Sequence, residues 1–117
     1  MNNTDLASLR DLLRQFAAER DWEQFHTPKN LASALSVEAA ELLEHFQWLT
    51  PEQSMQLTGE ALAGVRDELA DVLLYLIRLA DQLDVDLLAA AHSKIAANAR
   101  KYPVDKVRGS ARKYTDF

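Results

Sequence analysis

Residues 27–49 read Thr27-Pro28-Lys29-Asn30-Leu31-Ala32-Ser33-Ala34-Leu35-Ser36-Val37-Glu38-Ala39-Ala40-Glu41-Leu42-Leu43-Glu44-His45-Phe46-Gln47-Trp48-Leu49. Thr27 suits a helix N-cap, and Pro28 suits the first helical position, where a missing N–H costs nothing. Leu31, Leu35, Leu42, Phe46 and Leu49 recur at helical spacing, predicting one amphipathic helix from 28 to about 49. Thr50-Pro51 closes it, because the residue before proline is pushed out of the helical region. Inside this helix Glu38 and Glu41 stand one turn apart on one face. Glu38 falls about 60° from the centre of the apolar stripe and Glu41 about 60° further round, with Trp48 within about 20° of Glu41.

A second acidic pair, Glu68-Leu69-Ala70-Asp71, lies in another apolar run, predicted as a helix from about 59 to 82. Its stripe is Leu62, Val65, Leu69, Val72, Leu73, Leu76, Ala80 and Leu83, with Gly64 a weak point. Glu68 and Asp71 sit off one side of that stripe, and Tyr75 lies between them in angle. Two such helices side by side would aim four carboxylates at one point. A small domain holds that much negative charge together only around a hard divalent cation. Each pair alone also reads as a solvated helix face, and Trp48 and Tyr75 as core or interface anchors. The dense apolar cover on both helices suggests burial between subunits as well.

The rest of the chain extends an all-α pattern. Thr4 is placed to cap a first helix to about Arg20, with Leu6, Leu9, Leu13, Phe16 and Ala17 on one face. Asp21 to His26 breaks the period, and a polar linker spans roughly 51–58. Asp84 is placed to cap a fourth helix ending near Lys101, and Pro103 forbids its continuation. Residues 103–117 read as an extended tail. The expectation is one domain over 1–117, a four-helix bundle with helices about 4–20, 28–49, 59–82 and 84–101.

Composition narrows the function classes. With no cysteine there is no disulfide and no thiolate metal site. No apolar run approaches the roughly 18 residues of a membrane span, and the polar N-terminus is unlike a signal peptide, so a cytoplasmic protein is expected. The net charge of −5 argues against binding a nucleic-acid polymer through a broad basic face. Basic residues nevertheless cluster late: Lys94, Arg100, Lys101, Lys106, Arg108, Arg112 and Lys113. A basic segment beside an acidic site would suit a metal-bound polyphosphate. No serine has an evident histidine partner, His26 beside Pro28 reads as structural, and His45 falls near the polar side of its helix. A water nucleophile fits better than a protein one.

Glu38-x-x-Glu41 followed by Glu68-x-x-Asp71 resembles the MazG-like all-α nucleoside triphosphate pyrophosphohydrolases. Further stretches are similar to their dCTP pyrophosphatase branch: Arg20 to His26, Pro28-Lys29-Asn30-Leu31, Phe46-Gln47-Trp48, Asp67 to Leu76, Lys101-Tyr102-Pro103 and Ala111 to Thr115. The resemblance implies hydrolysis of a (deoxy)nucleoside triphosphate, dCTP or a modified dCTP first, to the monophosphate and pyrophosphate. It implies Glu38, Glu41, Glu68 and Asp71 as Mg²⁺ ligands, with Mn²⁺ as an alternative. It implies substrate contacts from Trp22, Trp48 and Tyr75, and from Lys94, Asn98, Lys101 and Tyr102 near the phosphates. A homodimer or homotetramer is the implied assembly. Val37 stands where many MazG-like proteins carry a further glutamate, and Leu13 where the vertebrate branch has a base-contacting histidine. The alternatives are a broad house-cleaning pyrophosphohydrolase and a non-catalytic helical metal-binding or oligomerisation module.

Overall fold

The structure is a computed structural model that describes residues 5–116. It is all-α, with no strand among the described residues. The chain divides into two compact units, Met1–Asp84 and Val85–Phe117. The first holds α1 (Leu6–Glu19), α2 (Pro28–Glu44), the single turn α3 (Pro51–Ser54) and α4 (Gly59–Gln82). The second holds α5 (Leu87–Lys101), the short α6 (Val104–Val107) and a 3₁₀ turn at Tyr114–Asp116. Among the described residues no helix is long and apolar enough to cross a membrane.

In the first unit both α1 and α2 pack on α4, burying Ala17, Leu31, Val65, Ile77 and Ala80. Thr27 caps α2 as expected, its Oγ1 accepting the Asn30 N–H at 3.2 Å, with Pro28 at the first helical position. The expected cap Thr4 lies outside the described residues; α1 is capped by Asp5, whose Oδ1 accepts the Ser8 N–H at 2.8 Å. The helix α2 ends at Glu44, not Leu49. The His45 and Phe46 N–H groups turn back to the Leu42 and Leu43 carbonyls, tightening the chain into a turn. Phe46 and Leu49 still reach inward because residues three apart share a side of a tight turn as they do of a helix. The expected polar linker contains α3. Thr50 and Gln53 form a reciprocal capping box around Pro51, which suffices to nucleate one turn.

The helix α4 has the expected limits, but only part of its expected stripe is covered: Val65 and Ala80 are buried and Val72 is half-buried. Glu68, Asp71, Tyr75 and Arg78 turn inward, whereas Leu62, Leu69, Leu73 and Leu76 are 37–52% exposed. Apolar periodicity finds a stripe without saying which partner covers it, and α1 and α2 leave its leucines uncovered. Gly64 sits against His45: a Cβ there would come within 2.8 Å of the His45 ring. The His45 side chain is exposed and can swing away. Gly64→Ala in a His45→Ala background should therefore gain the full helix-propensity difference, about 1 kcal/mol, and less in the parent chain. Urea unfolding of the three variants measures the difference.

In the second unit the fourth helix starts later than expected, at Leu87. Asp86, not Asp84, is its cap, accepting the Ala89 N–H at 3.0 Å. Asp84 instead takes a left-handed turn at φ 54°, which Asp tolerates better than most residues. The tail is not wholly extended: Pro103 opens α6, and Tyr114 packs edge-on to Tyr102 with ring centres 6.0 Å apart.

Candidate metal centre and adjoining cavity

Successive turns of α2 bring Glu38 and Glu41 to the inner face of α4, where Glu68 projects. One carboxylate oxygen from each of the three lies within 4.8 Å of the others. All three residues are half-buried. Oε2 of Glu38 and Oε2 of Glu68 are buried and accept no hydrogen bond. Ionised carboxylates have no donor to offer one another, so only a shared proton or a cation can join them. The electrostatics agree. Glu38 is pushed above the usual carboxylate range, first because its protonated form hydrogen-bonds Glu68, then by burial, with the Glu68 and Asp71 charges adding to it. Glu41 is pushed up chiefly by Glu38. An all-oxygen donor set of this kind fits a hard divalent cation.

Asp71 stands apart from this group of three. It is one turn further along α4 and lines an adjoining cavity of about 160 Å³. Its charge still reaches Glu38. The remaining walls are Leu13 and Phe16 from α1, Trp22 and His26 from the connection to α2, and Leu74, Tyr75 and Arg78 from α4. Phe16 and Trp22 meet edge to face with centres 5.7 Å apart, and Trp22 meets His26 similarly at 6.4 Å. The cavity thus offers aromatic walls for a flat ring and a carboxylate on the side of the acidic cluster.

Of the expected substrate contacts, Trp22 and Tyr75 stand on this wall. Trp48 does not share a helical face with Glu41, since α2 has already ended; it lies in the following turn, 86% exposed. Lys94, Asn98, Lys101 and Tyr102 belong to the second unit, on and just after α5. Lys94, Asn98 and Lys101 are exposed there, and the Lys101 Nζ sits 5.0 Å from the centre of the Tyr114 ring.

The sequence reading passed over His26 and Arg78. Arg78 is only 6% exposed and donates from Nε to His26 Nδ1 at 3.1 Å. Its other neighbour is Asp81, which Arg14 of α1 clamps through one guanidinium edge, Nε to Oδ2 at 2.7 Å and Nη2 to Oδ1. These guanidiniums, Arg14 first, hold the Asp81 carboxyl below its usual range. A single arginine inside the apolar run 72–80 was the available signal.

The family model for the MazG-like family matches residues 33–117, and the chain belongs to that family. Among individual relatives, dCTP pyrophosphatase 1 of Bos taurus is 48% identical over 114 residues, spanning 96% of this chain and 68% of the relative. The Homo sapiens protein of the same name is 47% identical, over 96% and 67%. A crystal structure of a pyrophosphatase from Archaeoglobus fulgidus superposes with a TM-score of 0.77 at 40% identity, covering 88% of this chain and 96% of that one.

Proposed function

We propose that this chain hydrolyses dCTP, or a base-modified dCTP, to the monophosphate and pyrophosphate with Mg²⁺. The observation that carries the reading is the pair of buried, unpartnered oxygens on Glu38 and Glu68 beside an aromatic cavity. The relatives named dCTP pyrophosphatase 1 support the substrate. Glu38, Glu41 and Glu68 would hold the cation, with Asp71 between it and the cavity. Mg²⁺ suits sites that combine carboxylates with substrate phosphates; Mn²⁺ is the alternative. When bound, the ion supplies charge neutralisation and Lewis acidity toward the phosphate oxygens. Water attacks the α-phosphorus, the bond to the bridging oxygen breaks, and pyrophosphate leaves with the bonding electrons. Glu41 is the member of the trio with no buried orphan oxygen, which leaves it the one best placed to accept the proton of the attacking water. Trp22 and Tyr75 flank the base. Resemblance alone supports Trp48 as a base contact, and Lys94, Asn98, Lys101 and Tyr102 as phosphate contacts. The acidic, cysteine-free composition supports a cytoplasmic setting.

Leu13 on the cavity wall favours a second reading, a broader house-cleaning pyrophosphohydrolase. Incubation with Mg²⁺ and each common NTP and dNTP, with 5-methyl-dCTP, separates the readings. Monophosphate plus pyrophosphate, fastest from the cytosine nucleotides, supports the first. A flat profile supports the second. Orthophosphate as the first product, or no product, removes both.

The outward leucines of α4 support a homodimer or homotetramer, since burying each contributes about 1.5–3 kcal/mol. Leu73→Glu would set like charges into a symmetric contact at a cost of several kcal/mol. Light scattering after size exclusion should report an oligomer for the parent and a monomer for the variant. An unchanged mass would place the contact elsewhere.

A further inference from the structure

The cavity beside the carboxylates has one polar side chain whose hydrogen-bonding sense is dictated by its neighbour. Arg78 carries donors only and does not deprotonate, so the His26 nitrogen that faces it must be the one with the lone pair. Nδ1 accepts from Arg78 Nε at 3.1 Å, and the imidazole's single proton therefore resides on Nε2. The arginine is itself fixed: it is buried in α4, and Asp81, clamped by Arg14 of α1, takes its other edge. The chain Arg14–Asp81–Arg78–His26 ties α1, α4 and the connection before α2 into one arrangement. Burial and the Arg78 charge also lower the affinity of His26 for a second proton, against the smaller opposing pull of Glu23.

We propose that His26, held by Arg78 as an Nε2–H donor, is the residue that selects cytosine over uracil and thymine. The inference rests on the reading that the cavity receives the base of a nucleoside triphosphate. Its chemistry is specific. Ring nitrogen N3 of cytosine is an acceptor, whereas N3 of uracil and thymine carries a hydrogen. A donor that cannot change its sense pairs with the first and opposes the second. A histidine free to exchange tautomers would serve both. Leu13, on the same wall, has no polar atom with which to do this. His26 is thus the specificity residue and Arg78 its positioning residue.

The test compares kcat/KM for dCTP, dUTP and dTTP in the parent, His26→Phe, His26→Gln and Arg78→Met, alongside ¹⁵N spectra of the imidazole. The parent spectrum should show the Nε2–H tautomer alone, and Arg78→Met a mixture of tautomers. The dCTP preference should fall about tenfold in His26→Phe, the worth of about one hydrogen bond. It should fall in Arg78→Met as well, and be partly retained in His26→Gln, whose amide can still donate. Should Arg78→Met not fold, the parent spectrum and the two His26 variants decide the matter. A parent imidazole protonated on Nδ1, or a dCTP preference that survives His26→Phe, overturns the inference while the hydrolase reading stands. Absence of turnover with any nucleotide removes that reading and this inference together.

Discussion

Glu41→Gln lowers turnover of the preferred nucleotide by about 10²–10⁴-fold, the range expected when a positioned proton acceptor is lost. Glutamine keeps the length and one oxygen of the side chain but cannot take the proton of an attacking water. Glu41 is half-buried at the rim of the trio, so the exchange opens no cavity and the helical circular dichroism signal should match the parent. Measured at saturating Mg²⁺, since Glu41 also counts among the cation's ligands, KM should change less than kcat, because the loss then falls mainly on the transition state. A variant as fast as the parent would remove Glu41 from the site and shift the proton acceptor to Glu38, Glu68 or Asp71.

Glu38→Gln should do two opposite things to stability. Without divalent cation the parent holds Glu38 against Glu68 with both Oε2 atoms buried and unpartnered, an arrangement that favours the protonated acid. The folded affinity of Glu38 for protons exceeds the unfolded one. The folded state therefore binds more protons, and stability falls as pH rises from about 4.3, the unfolded value, through the raised folded value. Replacing Glu38 by neutral glutamine removes this penalty, so the metal-free variant should melt higher than the metal-free parent at pH 7. Added Mg²⁺ should reverse the order. At a hundred times Kd the parent gains about 2.7 kcal/mol, and the variant, lacking one ligand, gains far less. Thermal melts with EDTA and with saturating Mg²⁺ measure both arms. A parent that Mg²⁺ does not stabilise, or a variant less stable than the parent in EDTA, contradicts the assignment.

The local signals in the chain translated well into structure. Thr27-Pro28 and the 59–82 run became α2 and α4 where their chemistry put them, since caps and periodicity act over a few residues. Three of the four acidic side chains meet at one point, which spacing along two helices could only suggest. The orientation of α4 was legible only in part: Val65 and Ala80 of its apolar stripe are buried as expected. The leucines of that stripe nevertheless stay exposed while Glu68, Tyr75 and Arg78 turn inward, because the inner partner is set by tertiary pairing and not by hydropathy alone. The end of α2 was misplaced for a related reason, as Phe46 and Leu49 serve a tight turn as readily as a helix. His26 and Arg78 are 52 positions apart, a separation no local rule spans.

The sequence contains two tryptophans, and they sit in opposite settings: Trp22 on the cavity wall at 43% exposure, Trp48 almost bare at 86%. The molecule thereby has its own optical reporter. Trp48 should emit at long wavelength and yield to iodide quenching, while the emission of Trp22 follows whatever enters beside it. With Trp48→Phe a single indole remains, and occupancy can be titrated by light without attaching a dye.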